Sequence, residues 1–577
     1  MPLEKKCKTC DKPYKLDDTD LEFYKKISSE FGGTKYDMPS PNLCPSCRSM
    51  RRMVWRNERT LYKNKCSLCD RAVVSIYSPD KKFKALCADC YWSDRRNQLE
   101  SGGDYIRGKS FFAQFRDLMS DTYLLALFAT NCENCEFVNQ EMHSSNCYLC
   151  TGGNDNLDSY YCNSCVHNIG SVDCYGVGFS EKAYNCVFCT SVFDSRDLFN
   201  CHTCHNCYFC NNCVGCESCF GCSNLRYKKY HVFNKPVSKE EFQRVVEENF
   251  SSPEAVHKTQ ERFAKHRLAY PYKYMTVISC TSDCTGDILM NCKSAKDCYY
   301  CFKTENTSHS YLLDSVKDSM DILSVGSGEL FYESASSTKL YGSAFLTSCD
   351  AIRESFYCYN CTNSHHLFGC VSLDKKSYCI FNKQYTKEQY GEKVAEIIGE
   401  MQKAKEWGEF FPIAIAPFCY NESNAIEHFS LNESAATKLG ACWQNKDYSK
   451  KHSGPFYKPK DISDYSTDNN PDAEKEIESC LRGVIKCGVS GRPFRIIPQE
   501  LAFYIKQKIQ IPTEHPDERY KKRISLFNKM QLQRRQCMCE EGGHDHEGRC
   551  PNEFETTYTS DRPEKVYCES CYQKSVI

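Results

Sequence analysis

Long apolar runs are missing from this chain. Nowhere do 18 apolar residues follow one another, so no sequence segment qualifies as a membrane-spanning helix. The opening, "MPLEKKCKTC", lacks the apolar stretch of a secretory signal, and the expected compartment is the reducing cytoplasm. An excess of one charge is missing too. Lysine and arginine number 74 against 75 aspartates and glutamates, so any contact with nucleic acid must be local rather than global. Conventional enzyme signatures are also absent: no P-loop, no GxSxG, no HExxH and no GxGxxG. These absences point to a non-enzymatic protein.

What the chain has in excess is cysteine, 44 among 577 residues. In a short secreted protein that usage reads as a disulfide scaffold. In a reducing compartment, closely spaced cysteines are metal ligands or small buried hydrophobes instead. With this length several domains can each bury a core.

The two ends carry one plan written twice. Cys7 and Cys10 form one CxxC pair and Cys44 and Cys47 another, with Leu21, Tyr24, Ile27 and Phe31 on one face of a predicted helix between them. This is treble-clef-like spacing for one ion. Cys66, Cys69, Cys87 and Cys90 follow as C-x2-C-x17-C-x2-C, the zinc-ribbon spacing, expected as two knuckles on two hairpins around a tetrahedral ion. At the C-terminus, "CGVSGRPFRIIPQELAFYIK" (487–506) aligns without a gap to residues 7–26, and "HPDERYKKRISLFNKM" (515–530) to residues 44–59. There Ser490, His515 and Glu518 replace three ligands and only Cys487 persists, so this copy is expected to keep the fold and lose its first metal. The ribbon persists in Cys550, Cys568 and Cys571. Its fourth ligand is open among Cys537, Cys539, His544 and His546; we assign Cys539, from the CxC pair that stands where Cys66 stands.

The middle is duplicated as well. "FGCSNLRYKKYHVFNKPVSKEEFQRVV" (220–246) and "FGCVSLDKKSYCIFNKQYTKEQYGEKV" (368–394) run in register through Cys222/Cys370 and Asn234/Asn382, and each opens a helix with Ser238 or Thr386 as cap. Upstream of each lie short units rich in Asn, Ser, Gly, Asp and aromatics without helical periodicity, the texture of a β-solenoid closed by an amphipathic helix. A phrase recurs in them: "VDCY" (172–175), "RDLF" (196–199), "KDCY" (296–299) and "KDSM" (317–320). The position after aspartate is Cys174, Leu198, Cys298 or Ser319, an exchange that suits a packed interior better than a metal ligand.

Residues 200–222, "NCHTCHNCYFCNNCVGCESCFGC", place eight cysteines at every third position. Strand alternation would send successive ones to opposite faces, so packing alone leaves the period unexplained. "CHTCH" matches a haem-attachment motif with His205 as axial ligand, and Cys201, Cys204 and Cys207 resemble the start of an iron–sulfur run whose fourth ligand and proline are missing. A thiol relay lacks any marked activated thiolate. His365 and His366 are adjacent, and in a strand would face opposite ways. Finally, "CRSMRRMVWRNERTLYKNKC" (47–66) and "RYKKRISLFNKMQLQRR" (519–535) are basic with interleaved aromatics, and are candidate RNA contacts or solvated helix faces.

The strings "LCPSCRSMRR", "RNERTLYKNKC", "YCIFNKQYTKEQY", "SGRPFRIIPQELAFY" and "CPNEFETTYTSDRPEKVYCESCY" resemble a family of uncharacterised zinc-ribbon, cysteine-rich repeat proteins of candidate-phyla bacteria. The resemblance covers almost the whole chain and implies zinc ribbons flanking a repeat region, without an activity. The dense cysteine run at 201–222 departs from it.

The resulting expectation is a mixed α+β, multidomain protein. A two-site zinc module (1–100) and a linker with a helix (101–131) precede a first cysteine-rich solenoid half (132–234). A capping helix and linker (235–278), a second solenoid half (279–383), a helix and irregular linker (384–480) and a second zinc module (481–577) follow. Zinc is the expected cofactor, about three ions, and the function a structural scaffold binding a protein or RNA partner. The alternative is a metalloprotein that loads further metal in the repeats, for iron–sulfur electron transfer or zinc storage.

Overall fold

The computed structural model describes residues 2–448, 452–467 and 470–576. Residues 449–451 and 468–469 of the expected linker lie outside the described residues. The chain is mixed α and β with many short strands, and it divides into two compact units, each discontinuous in sequence. One comprises Met1–Leu127, Met275–Lys446 and Lys529–Gln533; the other Phe128–Tyr274, Asp447–Asn528 and Arg534–Ile577. The N-terminal module therefore shares a unit with the second repeat region, and most of the C-terminal module shares one with the first.

Both repeat regions are parallel ladders with a constant step of twelve residues. In the first, Leu157 pairs with Ile169, Tyr160 with Val172 and His202 with Val214; in the second, Tyr299 pairs with Tyr311 and Leu346 with Cys358. Every third residue has positive φ without a break, from Asn131 to Phe233 and again from Ile288 to Phe381. A twelve-residue coil is thus four triplets. The first residue of a triplet bonds the neighbouring coils, the second turns the chain through the left-handed region, and the third points inward. Left-handed backbone costs an L-residue about 1–2 kcal/mol, least for Gly, Asn and Asp, which accounts for the composition of these segments. Asparagines at the corner position add ladders of their own: Asn134 Nδ2 donates to Asn146 Oδ1 (2.8 Å) and Asn146 Nδ2 to Asp158 Oδ1 (2.9 Å).

This geometry explains the cysteine period of three, which strand alternation could not. Cys201, Cys204, Cys207 and Cys210 fill the four inward positions of one coil, and Cys213, Cys216, Cys219 and Cys222 those of the next; all eight are buried in one core. Cys174, Leu198, Cys298 and Ser319, which exchange after the recurring aspartate, are inward and buried too. Where the inward residue twelve positions earlier is cysteine or serine, its side chain accepts the inward residue's own N–H, which points along the stack. Cys213 N donates to Cys201 Sγ (3.4 Å), Cys207 N to Ser195 Oγ (3.1 Å) and Cys349 N to Ser337 Oγ (3.1 Å). Each Sγ in turn donates to a carbonyl, as Cys201 does to Phe199 O at 3.4 Å. A narrow core that must also satisfy one buried N–H per triplet favours a small side chain with a polar atom at the γ position, hence cysteine and serine.

The modules dock on one corner of their coils. In the first unit the helix Pro45–Val54 presents Arg48, Arg51 and Arg52 to Asp321 and Glu333, which occupy the same corner of successive coils. Arg48 Nε lies 2.8 Å from Asp321 Oδ2 and Arg52 Nη2 3.2 Å from Oδ1; Arg52 Nη1 and Arg51 Nη2 reach the two oxygens of Glu333 at 3.0 and 2.9 Å. In the second unit the helix Pro516–Ile524 does the same: Arg519 and Arg523 grip the two oxygens of Asp173, the latter at 3.0 Å. These arginines are all buried, as are Arg56 and Trp55, whose ring lies 4.8 Å from that of Phe411. Seven of the cations and aromatics that the basic segments hold out on paper thus face inward.

The helices Lys239–Phe250 and Lys387–Ala404 follow the coils, each capped by the expected Ser238 or Thr386. Phe242 joins a buried cluster with Phe209, Phe220 and Phe233, its ring 6.4 Å from that of Tyr208 and 6.0 Å from that of Tyr230. His365 and His366 do not face opposite ways: because His366 takes the left-handed corner, the two Nδ1 atoms lie 2.9 Å apart. Cys419 and Cys442 form a disulfide, and the other 42 cysteines are free. Among the described residues no helix is long and apolar enough to cross a membrane.

Candidate metal centres

Each module builds its ligand sets from the same two parts, a hairpin knuckle and a helix N-terminus. At the first knuckle, strands Leu3–Lys6 and Pro13–Leu16 pair antiparallel; Cys7 N donates to Lys12 O (3.0 Å) and Asp11 N to Cys7 O (3.0 Å), with Asp11 in the left-handed region. The same pair of bonds recurs at the second knuckle, Cys66 N to Arg71 O and Asp70 N to Cys66 O, both 2.9 Å. Opposite each knuckle, Cys44 and Cys87 stand at the N-cap of the helices Pro45–Val54 and Ala88–Tyr91, with Cys47 and Cys90 in their first turns. The ribbon set therefore has one hairpin and one helix rather than the two hairpins its spacing suggested. A helix N-terminus offers free N–H groups and a positive dipole end, which favour thiolate.

The sulfur spacing suits an ion. Cys10 and Cys44 lie 3.7 Å apart, Cys69 and Cys87 3.9 Å, and Cys550 and Cys568 3.9 Å. A tetrahedral ion with metal–sulfur bonds of about 2.3 Å requires S···S edges of about 3.8 Å. Within each of the sets Cys7/Cys10/Cys44/Cys47 and Cys66/Cys69/Cys87/Cys90 all ligand atoms lie within 4.8 Å of one another. One thiol of each set is held low, while the hydrogen bond to Cys44 pushes Cys47 up and burial pushes Cys10 and Cys90 up. The Cys47 side chain, ahead of its backbone N–H, pulls Cys44 down to about 5 against the effect of burial. At Cys66 burial opposes ionisation, yet the N–H groups of Cys87, Leu68 and Cys69 hold the thiol at about 6.

In the C-terminal module the set that closes is Cys537, Cys550, Cys568 and Cys571. Cys537, not the assigned Cys539, takes the place of Cys66: Cys568 N donates to Cys537 Sγ (3.2 Å) as Cys87 N does to Cys66 Sγ (3.4 Å). Cys539 lies with His544, His546 and Cys571 in a separate group. The matching N–H···S bonds were the signal, and alignment of a two-residue CxC pair could not supply it.

The degenerate site keeps its frame. Cys487 N donates to Arg492 O (2.9 Å) and Gly491 N to Cys487 O (3.0 Å), repeating the knuckle, and the N–H groups of Ser490 and His515 point at Cys487 Sγ at 3.4 and 3.2 Å. His515 caps the helix Pro516–Ile524, its ring accepting from Asp517 N. Among the described residues, Cys487 belongs to no group of three or more ligands close enough to share an ion, and neither does any cysteine of the coils, Cys201 to Cys222 included.

The fold and these sites define a cysteine-rich repeat protein bearing several groups of four ligands able to bind metal. Comparison with known protein families and with curated proteins finds no match to this chain.

Proposed function

We propose that this protein is a zinc-binding structural scaffold without catalytic activity, in which terminal zinc modules lock onto two β-solenoids. The observation that carries the reading is the closed, all-protein ligand set: four sulfurs at tetrahedral spacing leave no position for substrate. Sulfur-only tetrahedral sites select zinc among the common divalent ions, and such sites contribute folding energy rather than chemistry. The coil cysteines, in this reading, are packing and hydrogen-bonding groups. The resemblance to uncharacterised zinc-ribbon repeat proteins of candidate-phyla bacteria fits this reading and adds no activity.

The partner we favour is a protein. Leu157 and Ile169 are exposed at matching positions of adjacent coils of the second unit, with Glu181 separating them from the exposed Phe193 in the same row and Phe179 stacked on His167 at 4.9 Å, and exposed apolar groups gathered on one side in this way mark interaction surfaces. The RNA reading loses its main cations, since Arg48, Arg51, Arg52, Arg56, Arg519 and Arg523 are buried.

Elemental analysis of protein purified without oxygen tests the function. Three or more zinc per chain with no visible absorbance supports the scaffold. A brown protein with iron and sulfide establishes electron transfer instead, and ten or more zinc establishes storage.

A further inference from the structure

We propose that the C-terminal module holds two metal ions joined by one thiolate, Cys571. The inference rests on the reading that the four-cysteine sets bind zinc, and extends it to a site with mixed ligands.

Cys571 Sγ belongs to two groups at once. It closes the set with Cys537, Cys550 and Cys568, and it closes a second with Cys539, His544 and His546, all ligand atoms in each set lying within 4.8 Å of one another. Cys571 is buried and lies in the first turn of the helix Glu569–Ser575. Cys537 and Cys539, two apart with Met538 between them, supply one thiol to each group. The backbone there is held from both sides, Met538 N donating to Val566 O (3.0 Å) and Cys550 N to Cys539 O (2.9 Å).

The histidines are arranged as ligands. His546 Nδ1 lies 2.9 Å from Gly548 O; a carbonyl only accepts, so Nδ1 carries the proton and Nε2 turns its lone pair toward Cys571 Sγ, 3.4 Å away. His544 Nδ1 lies 3.1 Å from Cys539 Sγ, while its Nε2 faces Glu541 Oε2 at 3.7 Å. Glu541 is anchored by Tyr567 OH (2.9 Å) and Ser575 Oγ (3.0 Å). A metal-bound imidazole with its second nitrogen on a carbonyl or carboxylate is the usual outer-shell arrangement of zinc histidines. A cavity of about 60 Å³ lies between His544, His546 and Cys571.

Charge favours the shared thiolate. One zinc in four thiolates carries two net negative charges, costly in a buried place. A second zinc bound by one further thiolate, two neutral imidazoles and the bridge leaves a single negative charge over both ions. The duplication locates the novelty: the N-terminal ribbon has no counterpart of "EEGGHDHEGR", the insertion that brings the histidines.

Native mass spectrometry of the full zinc-loaded chain, with electron paramagnetic resonance after cobalt(II) exchange, tests this. Four ions per chain are expected, falling to three in His544→Ala/His546→Ala and in Cys539→Ala, and two of the four cobalt ions should be spin-coupled through the sulfur. Three ions in the unmodified chain, unchanged by these substitutions, overturn the second ion while leaving the scaffold reading intact. Four ions without coupling overturn the bridge. Fewer than three ions overturn both readings, because at least one of the three four-cysteine sets would then be empty.

Discussion

Arg48 and Asp321 form an ion pair of 2.8 Å in which neither side chain touches solvent, although 273 residues separate them. Arg519 and Asp173 repeat it, at matching positions of both the duplicated helix and the duplicated coils. Arg48→Ala takes from the buried Asp321 one of its two cations and leaves Arg52 alone at 3.2 Å, so it is expected to destabilise the first unit by up to about 3–5 kcal/mol, whereas Arg48→Met combined with Asp321→Leu recovers much of the loss. Denaturant unfolding of the single and double variants measures it.

The same clamp sets an acid limit. Burial raises the affinity of Asp321 for a proton, but Arg48 and Arg52 outweigh it and hold the carboxyl below its ordinary value. A carboxylate depressed in the folded state contributes stability that is present above its unfolded value, about 3.9, and is lost as pH falls through the folded one. Melting temperatures of the native chain should fall below about pH 4 more steeply than those of the Met/Leu double variant.

Glu141 has the opposite sign. It fills an inward position of an early coil, and burial pushes it up to about 7 although Asn156, Ser144 and the N–H of Gly153 all donate to it. A raised carboxyl contributes stability that is full below its unfolded value, about 4.3, and is lost as pH rises through 7. The second unit should therefore be less stable at pH 8 than at pH 5 by on the order of 1–3 kcal/mol, and Glu141→Gln should flatten that slope in a pH series of unfolding curves.

Valine fills inward positions such as Val177 and Val192, but an inward cysteine whose Sγ accepts an N–H should tolerate serine better than valine. Cys201→Ser keeps a γ acceptor for Cys213 N–H, at a cost of about 1 kcal/mol or less, while Cys201→Val orphans that N–H at about 1–3 kcal/mol. Unfolding midpoints of the two variants should separate accordingly; equal midpoints would show that the Sγ contact has no energetic part.

The corner position is a second discriminating site. Asn206 has φ 53° and donates to Ser218 Oγ at 3.0 Å. Asn206→Val places a β-branched residue in the left-handed region and should cost about 1–3 kcal/mol, whereas Asn206→Gly should change stability by less than about 1 kcal/mol.

Thiol counting addresses the disulfide. In denaturant with a chelator and no reductant, 42 thiols should react, rising to 44 after reduction, with Cys419 and Cys442 as the pair that peptide mapping identifies. Reaction of all 44 without reductant would remove the bond.

Much of the architecture was legible in residue types alone. Metal ligands tolerate few substitutes and sit at fixed spacings, so CxxC pairs announced the sets at Cys7 to Cys47 and Cys66 to Cys90. The internal duplications were legible for the same reason, and the exchange of Cys174 with Leu198 and Ser319 already marked an interior position. What chain order could not carry was conformation and distance. Phe, Tyr, Leu and Lys occupy left-handed corners here as often as Asn or Gly do, so the four-triplet coil has no single-residue signature. Arginines beside a zinc knuckle read as a phosphate-binding face until Asp321 and Glu333 arrive from a distant coil to neutralise them.

The sequence by itself determined which residues could bind metal, that both ends and both middles were written twice, and that cysteine in the repeats was replaceable. The tertiary structure alone decided where the side chains point. A period of three becomes an inward stack only once every third residue turns left-handed, Cys537 displaces Cys539 because its sulfur receives the Cys568 N–H, and a basic helix becomes a clasp because burial makes each charge seek its partner.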